Sequence, residues 1–204
     1  MNYQIVSRTP KEKGKVQISL DNGESFDVYK GEAYRLSLFE NNSITEEQYQ
    51  QILQDVIGKR ATKYAMYLLE RQERTEKQLR DKLMQQGYPD ICIEQAIAYV
   101  KSYHYIDDLR YACVYIRYHQ EKESRQKLIT KLLMRGVCRE DIELALEEEY
   151  HADESTKIEE LLRKKHYNAK EADEAAYRRM VQFLLRRGFC SRDIYHVMGQ
   201  YTYY

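Results

Sequence analysis

The cysteine and histidine side chains, which could bind a metal or act as nucleophiles, are scattered along the chain. The cysteines lie 21, 25 and 52 residues apart, so there is no CxxC or CxxH pair. The five histidines form no HExxH motif, the spacing with which one helix face presents two zinc ligands. The sequence therefore predicts neither a metal site nor a disulfide scaffold, and separated thiols are typical of a reducing compartment. The cysteines are Cys92, Cys113, Cys138 and Cys190.

Motifs for nucleotide binding and catalysis are also missing from the sequence. No GxxxxGK[ST] or GxGxxG loop occurs, so backbone amides are not arranged in sequence to hold a phosphate. No serine, cysteine or carboxylate lies in a recognised catalytic pattern. We therefore expect that the protein is not an enzyme, that it needs no cofactor, and that it acts through its surface.

Basic side chains on three predicted helices offer the clearest binding chemistry. Their positive charges could contact an acidic protein surface or DNA phosphates. They could equally make the helices soluble by forming i,i+4 ion pairs with Glu and Asp, and both interpretations stay open. We call these residues the basic track. Its members are Lys77, Arg80, Lys82, Arg125, Lys127, Lys131, Arg135, Arg178, Arg179, Arg186 and Arg187.

The overall composition limits how the protein could bind nucleic acid. Lys plus Arg number 33 and Asp plus Glu number 33, which gives a formal net charge of zero. A protein that binds bulk DNA is usually basic, so any DNA contact must come from local clusters. There are 20 tyrosines and no tryptophan. We expect most of these rings to pack with a solvated hydroxyl, and base stacking is the alternative.

The predicted helices that carry the basic track belong to a sequence repeat. Three segments share the pattern Leu/Met-x3-Leu-x3-Gly, then an apolar residue, and then two apolar residues at six and ten positions after the glycine. The segments are residues 79–97, 128–146 and 180–198. Their glycines, 49 and 52 positions apart, are Gly87, Gly136 and Gly188.

Each part of the pattern has a physical role. Aliphatic residues four positions apart lie on one face of a helix and bury it. Glycine ends the helix because it adopts the left-handed conformation without a Cβ penalty. The next helix should start three residues after each glycine, at Asp90, Arg139 and Ser191.

Capping residues support the same alignment. Thr75 and Ser124 each lie twelve residues before their glycine and are good N-caps for the helix that the glycine ends. In the third segment, Asn168 with Glu171 predicts a capping box.

The N-terminal residues have a different pattern. Apolar residues partly alternate on both sides of Asn22-Gly23, which is a strong signal for a tight turn between two strands. Further on, Thr45 with Gln48 predicts a capping box at the start of a long helix. We therefore expect a small N-terminal β-hairpin or meander that is followed by helices.

Together these features predict a mainly α fold. We expect three tandem three-helix repeats in an elongated curved array, because such small units need neighbours to bury enough apolar surface. The expected segments are a β-strand leader over 1–40, repeat 1 with a long leading helix over 41–103, repeat 2 over 104–152 and repeat 3 over 153–204.

Residues 61–200 resemble the RecX family of recombination regulators. The most specific matches are Tyr105-Ile106-Asp107-Asp108 and the Leu-Arg-Arg-Gly-Phe stretch that ends at Phe189. One departure is His104, which stands where many members carry glycine.

The resemblance implies a function in DNA recombination, DNA repair and the SOS response. RecX proteins bind the RecA nucleoprotein filament and usually restrain its assembly, strand exchange and coprotease activity. The alternatives are a DNA-binding protein that contacts DNA through its basic second helices, as helix-turn-helix modules do, and a scaffold for an unrelated partner.

The sequence has no signal pattern and no apolar run of about 20 residues. We therefore expect a cytoplasmic monomer without membrane contact.

Overall fold

The computed structural model describes residues 2–169 and 171–199. The chain forms two compact units, Met1–Asp107 and Asp108–Tyr204. The predicted fold class, mainly helical with three three-helix repeats and an N-terminal β element, is confirmed.

The N-terminal element is a four-stranded antiparallel sheet in the order β3-β2-β1-β4. The strands are β1 (Asn2–Pro10), β2 (Lys15–Leu20), β3 (Ser25–Tyr29) and β4 (Ser43–Thr45). The turn between β2 and β3 contains Gly23 with φ +85°, as the Asn-Gly signal predicts. Alternate residues of β2 are buried, so one face of the sheet is apolar and needs a partner.

That partner is the first group of helices. They are α1 (Lys30–Arg35), α2 (Glu46–Gln51), a π-helical stretch (Ile52–Gly58) and α3 (Lys59–Arg71). The predicted capping box of α2 is confirmed, because the Gln48 amide N–H donates to Thr45 Oγ1 at 3.2 Å and the Thr45 amide N–H donates to the Gln48 side chain at 2.9 Å. Buried residues of the sheet and of these helices belong to the same hydrophobic core.

Each repeat contains three helices. Repeat 1 consists of α3, α4 (Glu76–Gln85) and α5 (Asp90–Ser102). Repeat 2 consists of α6 (Asp108–His119), α7 (Arg125–Met134) and α8 (Arg139–Glu149). Repeat 3 consists of α9 (Glu154–Lys164), α10 (Glu174–Arg186) and α11 (Ser191–Met198).

The predicted helix stop is confirmed in all three repeats. Gly87, Gly136 and Gly188 have φ values of +78°, +89° and +87°. Each glycine donates its amide N–H to the carbonyl three residues earlier at 2.9 Å, and the next residue donates to the carbonyl five residues earlier at 3.2–3.4 Å. This pair of bonds is a Schellman motif, which satisfies carbonyls that the helix end leaves open. Val137 and Phe189, which follow two of the glycines, are buried.

The third helix of each repeat begins where the sequence predicts, although its cap lies one residue earlier. Asp90, Arg139 and Ser191 are the first helical residues, and the N-caps are Pro89, Cys138 and Cys190. In α8 the Cys138 Sγ accepts a hydrogen bond from the Asp141 amide at 3.4 Å, a role that Ser or Asp usually has.

The predicted capping box of Asn168 and Glu171 is wrong. The helix α10 begins at Glu174, and its N-cap is Asp173, whose carboxylate accepts from the Ala176 amide at 2.6 Å. Asn168 instead accepts the Glu171 amide at its backbone carbonyl, in a turn. A carboxylate at an N-cap also interacts favourably with the helix dipole, which favours Asp173 as the start.

His104 adopts the conformation that glycine would take at its position. Its φ is +55°, and its amide donates to the Lys101 carbonyl at 2.9 Å as α5 ends. A side chain in this region is strained, and glycine would avoid that strain.

We expect Gly136→Val to lower the free energy of unfolding by about 1 kcal/mol or more, because valine is strained at positive φ. Chemical denaturation followed by circular dichroism measures it. Gly31→Val is the matched control, since Gly31 lies in α1 at ordinary helical φ with open space around it. An unchanged midpoint for the Gly136 variant would contradict the assigned cap.

We expect the opposite sign for His104→Gly. Removing the side chain at positive φ should raise the free energy of unfolding by up to about 1 kcal/mol, since the strain is relieved although the unfolded chain gains entropy. The same denaturation experiment tests it, and a loss of stability would show that the imidazole makes a stabilising contact.

Candidate interaction surface

In repeat 1 two of the three residues of the basic track are neutralised by acidic neighbours. Arg80 forms ion pairs with Glu76 at 2.8 Å on its own helix and with Glu94 on α5, where a second hydrogen bond measures 2.9 Å. The hydrogen bond from Arg80 lowers the pKa of the Glu94 carboxyl. Lys77 forms an i,i+4 ion pair with Asp81 at 3.2 Å. Here the solubility interpretation of the charges fits the contacts.

The third basic residue of α4 has a neutral neighbour. Lys82 donates to the Gln85 side chain at 3.1 Å and is exposed. A neutral partner leaves the charge available to another molecule, so Lys82 differs from Lys77 and Arg80.

In repeat 2 the track divides into engaged and free cations. Lys131 forms an ion pair with Glu123, and this hydrogen bond raises the pKa of the lysine. Arg135 lies over the Tyr115 ring, with its guanidinium carbon 4.5 Å from the ring centre. Arg125 and Lys127 are exposed at the start of α7. Their side chains have no acidic partner within 4.0 Å among the described residues.

In repeat 3 the free cations lie along α10 and directly after it. Arg178 forms an i,i+4 ion pair with Glu174. Arg179, Arg186 and Arg187 are exposed, and no described acidic side chain lies within 4.0 Å of them. The Arg187 guanidinium carbon instead lies 4.7 Å from the centre of the Phe183 ring.

A direct junction links repeats 2 and 3. Ser124, the N-cap of α7, donates its hydroxyl to the Arg187 carbonyl at 2.8 Å and accepts the Lys127 amide at 3.3 Å. Gly188 packs so closely that a Cβ there would lie 2.7 Å from Ser124 Oγ and 3.3 Å from the Lys127 nitrogen. The end of α10 therefore packs against the start of α7, and Gly188 needs both a positive φ and an absent side chain.

A buried lysine makes a second junction between these repeats. Lys157 is 9% exposed. Its ammonium donates to the Glu123 carbonyl at 2.9 Å, the Tyr150 hydroxyl at 2.7 Å and Glu154 at 2.7 Å. These three bonds use all three ammonium hydrogens, which compensates for burying the charge. The sequence pattern gives no sign of this role for Lys157, since its main partners are a backbone carbonyl and a phenol in another repeat.

A cluster with donor atoms for a metal occurs in repeat 2. The sulfur of Cys113 and carboxylate oxygens of Glu148 and Glu149 lie within 4.8 Å of one another. Arg117 already donates to Glu149, at 2.8 Å through Nε, and burial raises the pKa of the Cys113 thiol to about 11. A metal would have to displace the guanidinium and deprotonate the thiol, so the contacts favour an interhelical ion pair.

No helix within residues 2–169 and 171–199 is both long and apolar enough to span a bilayer.

Three family models match the three repeats. The model of the first three-helix domain of RecX matches residues 61–99. The model of the second matches residues 107–146, and the model of the third matches residues 152–198.

Curated relatives match over most of the chain. The regulatory protein RecX of Caldanaerobacter subterraneus subsp. tengcongensis is 31% identical over 188 residues, which cover 91% of this chain and 92% of that relative. The regulatory protein RecX of Clostridium acetobutylicum is 28% identical over 196 residues, with 93% and 91% covered.

Solved structures share the fold. A crystal structure of regulatory protein RecX aligns with a TM-score of 0.64 at 22% identity and covers 96% of this chain and 98% of its own. A crystal structure of RecX from Lactobacillus salivarius aligns with a TM-score of 0.58 at 21% identity, covering 70% and 94%.

We expect Ser124→Ala to lower the free energy of unfolding by about 1–2 kcal/mol, because it removes a helix cap and the hydroxyl donor to the Arg187 carbonyl. Urea denaturation measures the change. Ser191→Ala is the matched control, because Ser191 is exposed and its hydroxyl has no described partner. Equal stabilities for the two variants would contradict the claim that the Ser124 hydroxyl stabilises the contact between repeats 2 and 3.

Proposed function

Because the chain belongs to the RecX family of non-enzymatic regulatory proteins, we propose that it binds the RecA nucleoprotein filament and inhibits its recombinase, ATPase and coprotease activities. The observation that carries the proposal is the match of all three three-helix domains in order. The RecA filament is the partner that this family resemblance implies. The proposal places the protein in the cytoplasm, as a monomer.

The repeated construction suits a filament as a partner. A filament presents the same surface many times, and a protein built from similar units can make similar contacts with successive subunits. All three repeats end their second helix with the same Schellman geometry, so each presents the end of that helix in the same local conformation.

The part of the basic track without acidic partners is the proposed contact surface. It includes Arg125 and Lys127 in repeat 2 and Arg186 and Arg187 in repeat 3. Unpaired surface cations speed association with an acidic partner and contribute to specificity. Cations that are already in ion pairs would have to exchange partners and would gain less.

Direct DNA binding is the second candidate function. The exposed rings of Tyr99, Tyr103 and Tyr105 favour it. Their exposed fractions are 40%, 56% and 47%, and successive ring centres lie 4.9 and 5.7 Å apart. Exposed aromatic rings can stack with bases of single-stranded DNA. Binding to DNA without RecA, with a steep salt dependence, would support this candidate.

Titrating the protein into RecA strand-exchange and ATPase assays tests the proposal. We expect both activities to fall as the ratio of this protein to RecA rises. A protein that binds DNA tightly by itself but leaves RecA activities unchanged would overturn the proposal in favour of the second candidate.

We expect charge reversal at both Arg186 and Arg187 to weaken the inhibition about tenfold, since two favourable long-range charges become repulsive. Helicity and melting temperature should hardly change, because both side chains are exposed. The charge-matched control reverses Lys30 and Lys63, which are exposed in the other compact unit. Unaltered inhibition by the variant with both Arg186 and Arg187 reversed would contradict the assignment of these residues to the contact surface.

A further inference from the structure

A groove of about 550 Å³ lies within the second compact unit. Its walls come from the loop between α6 and α7, from α9 with Lys165 directly after it, and from the end of α10. Three of its lining residues are apolar, and the charged ones are mostly basic. The apolar residues are Leu161, Phe183 and Phe189.

The groove has an excess of positive charge that the protein itself does not neutralise. Five basic and two acidic side chains line it. Lys164 is paired with Glu160 at 2.9 Å, and Lys157 is held in its buried network. Three cations remain without an acidic partner within 4.0 Å among the described residues. They are Lys122, Lys165 and Arg187.

Two of these cations contact the same aromatic ring, that of Phe183. The ammonium of Lys165 lies 5.4 Å and the guanidinium carbon of Arg187 lies 4.7 Å from the centre of the Phe183 ring. Both distances are typical of cation–π contacts. The ring attracts the cations without neutralising them, so their hydrogen-bond donors remain available to an anion beside an apolar surface.

The walls of the groove are held in place by the two junctions between repeats. Glu123 and Ser124 follow directly after Lys122. The Glu123 carbonyl accepts from Lys157, and the Ser124 hydroxyl donates to the Arg187 carbonyl. A site with fixed walls loses little entropy when a ligand binds, so the groove is preorganised.

We propose that this groove binds an acidic peptide segment of a partner protein. Its carboxylates would pair with Lys165, Arg187 and Lys122, and an apolar side chain of the segment would pack on Phe183 and Phe189. A concave site with an apolar floor fits a peptide side chain, whereas DNA phosphates need cations along an extended path. Only the assignment of that segment to the RecA filament rests on the proposed function.

Fluorescence anisotropy with the full chain tests the groove. The probe is a fluorescein-labelled peptide in which pairs of glutamates flank single leucines. The wild-type protein should bind this peptide, with an affinity that falls as salt is raised. Lys165→Glu and Arg187→Glu should each raise the Kd about tenfold or more, which corresponds to the loss of one strong charge contact.

The matched control is Arg163→Glu, because Arg163 is exposed near the end of α9 but does not line the groove. It should change the Kd by less than about twofold, as expected for a charge at a distance from the ligand. Circular dichroism of all variants establishes that they are folded. Equal effects of Arg163→Glu and Lys165→Glu on the Kd would overturn the proposal. They would show that the peptide is attracted by the net charge of the protein and not by the groove.

Two further probes identify the ligand chemistry. A peptide with glutamine in place of glutamate should not bind, because the carboxylates are removed. A labelled oligothymidine of similar length should bind more weakly than the acidic peptide. If the oligonucleotide binds more tightly and Arg187→Glu removes that binding, the groove takes phosphates and the proposal is wrong.

The outcomes separate this inference from the proposed function. Peptide binding that depends on Lys165 and Arg187, with no effect of the protein on RecA, would support the groove and reject RecA as its partner. Inhibition of RecA without any peptide binding by the groove would support the proposed function and overturn the inference.

Discussion

The left-handed glycine at the end of the second helix of each repeat is the constraint on which the rest of the structure depends. It lets the chain reverse within one residue while the Schellman bonds satisfy the helix carbonyls. The reversal buries Val137 and Phe189 and sets where the third helix begins. In repeat 3 the absent side chain of Gly188 has an additional role, because it allows the helix end to lie against Ser124 of repeat 2.

The sequence predicted the helices well because their apolar spacing, caps and glycine stops agree with one another. It failed at Asn168 because two residues that can form a cap occur before α10, and only the folded loop selects Asp173. For the candidate surface, the sequence predicted which residues are basic but not which are neutralised. The pairing of Arg80 with Glu94 across fourteen positions, and the burial of Lys157, depend on how the helices pack.

Although the net charge is zero, the positive charges are unevenly distributed over the repeats. In repeat 1 two of the three basic residues on α4 are held in ion pairs, whereas repeats 2 and 3 carry several cations that have no acidic partner within 4.0 Å among the described residues. Long-range attraction to a partner depends on such local excess rather than on the total. A locally charged but globally neutral molecule can recognise a specific acidic surface without adhering to every anionic polymer, which fits a regulator better than a general DNA-binding protein.

The shared core of the sheet and repeat 1 has a consequence for how the chain folds as it is synthesised. That core joins Ile5 and Val16 to Val100 and Ile106, whereas the core of repeat 2 extends only from Ala112 to Leu146. Contacts between distant residues close more slowly than local ones. The N-terminal sheet can therefore complete the burial of its apolar face only after α5 has been synthesised.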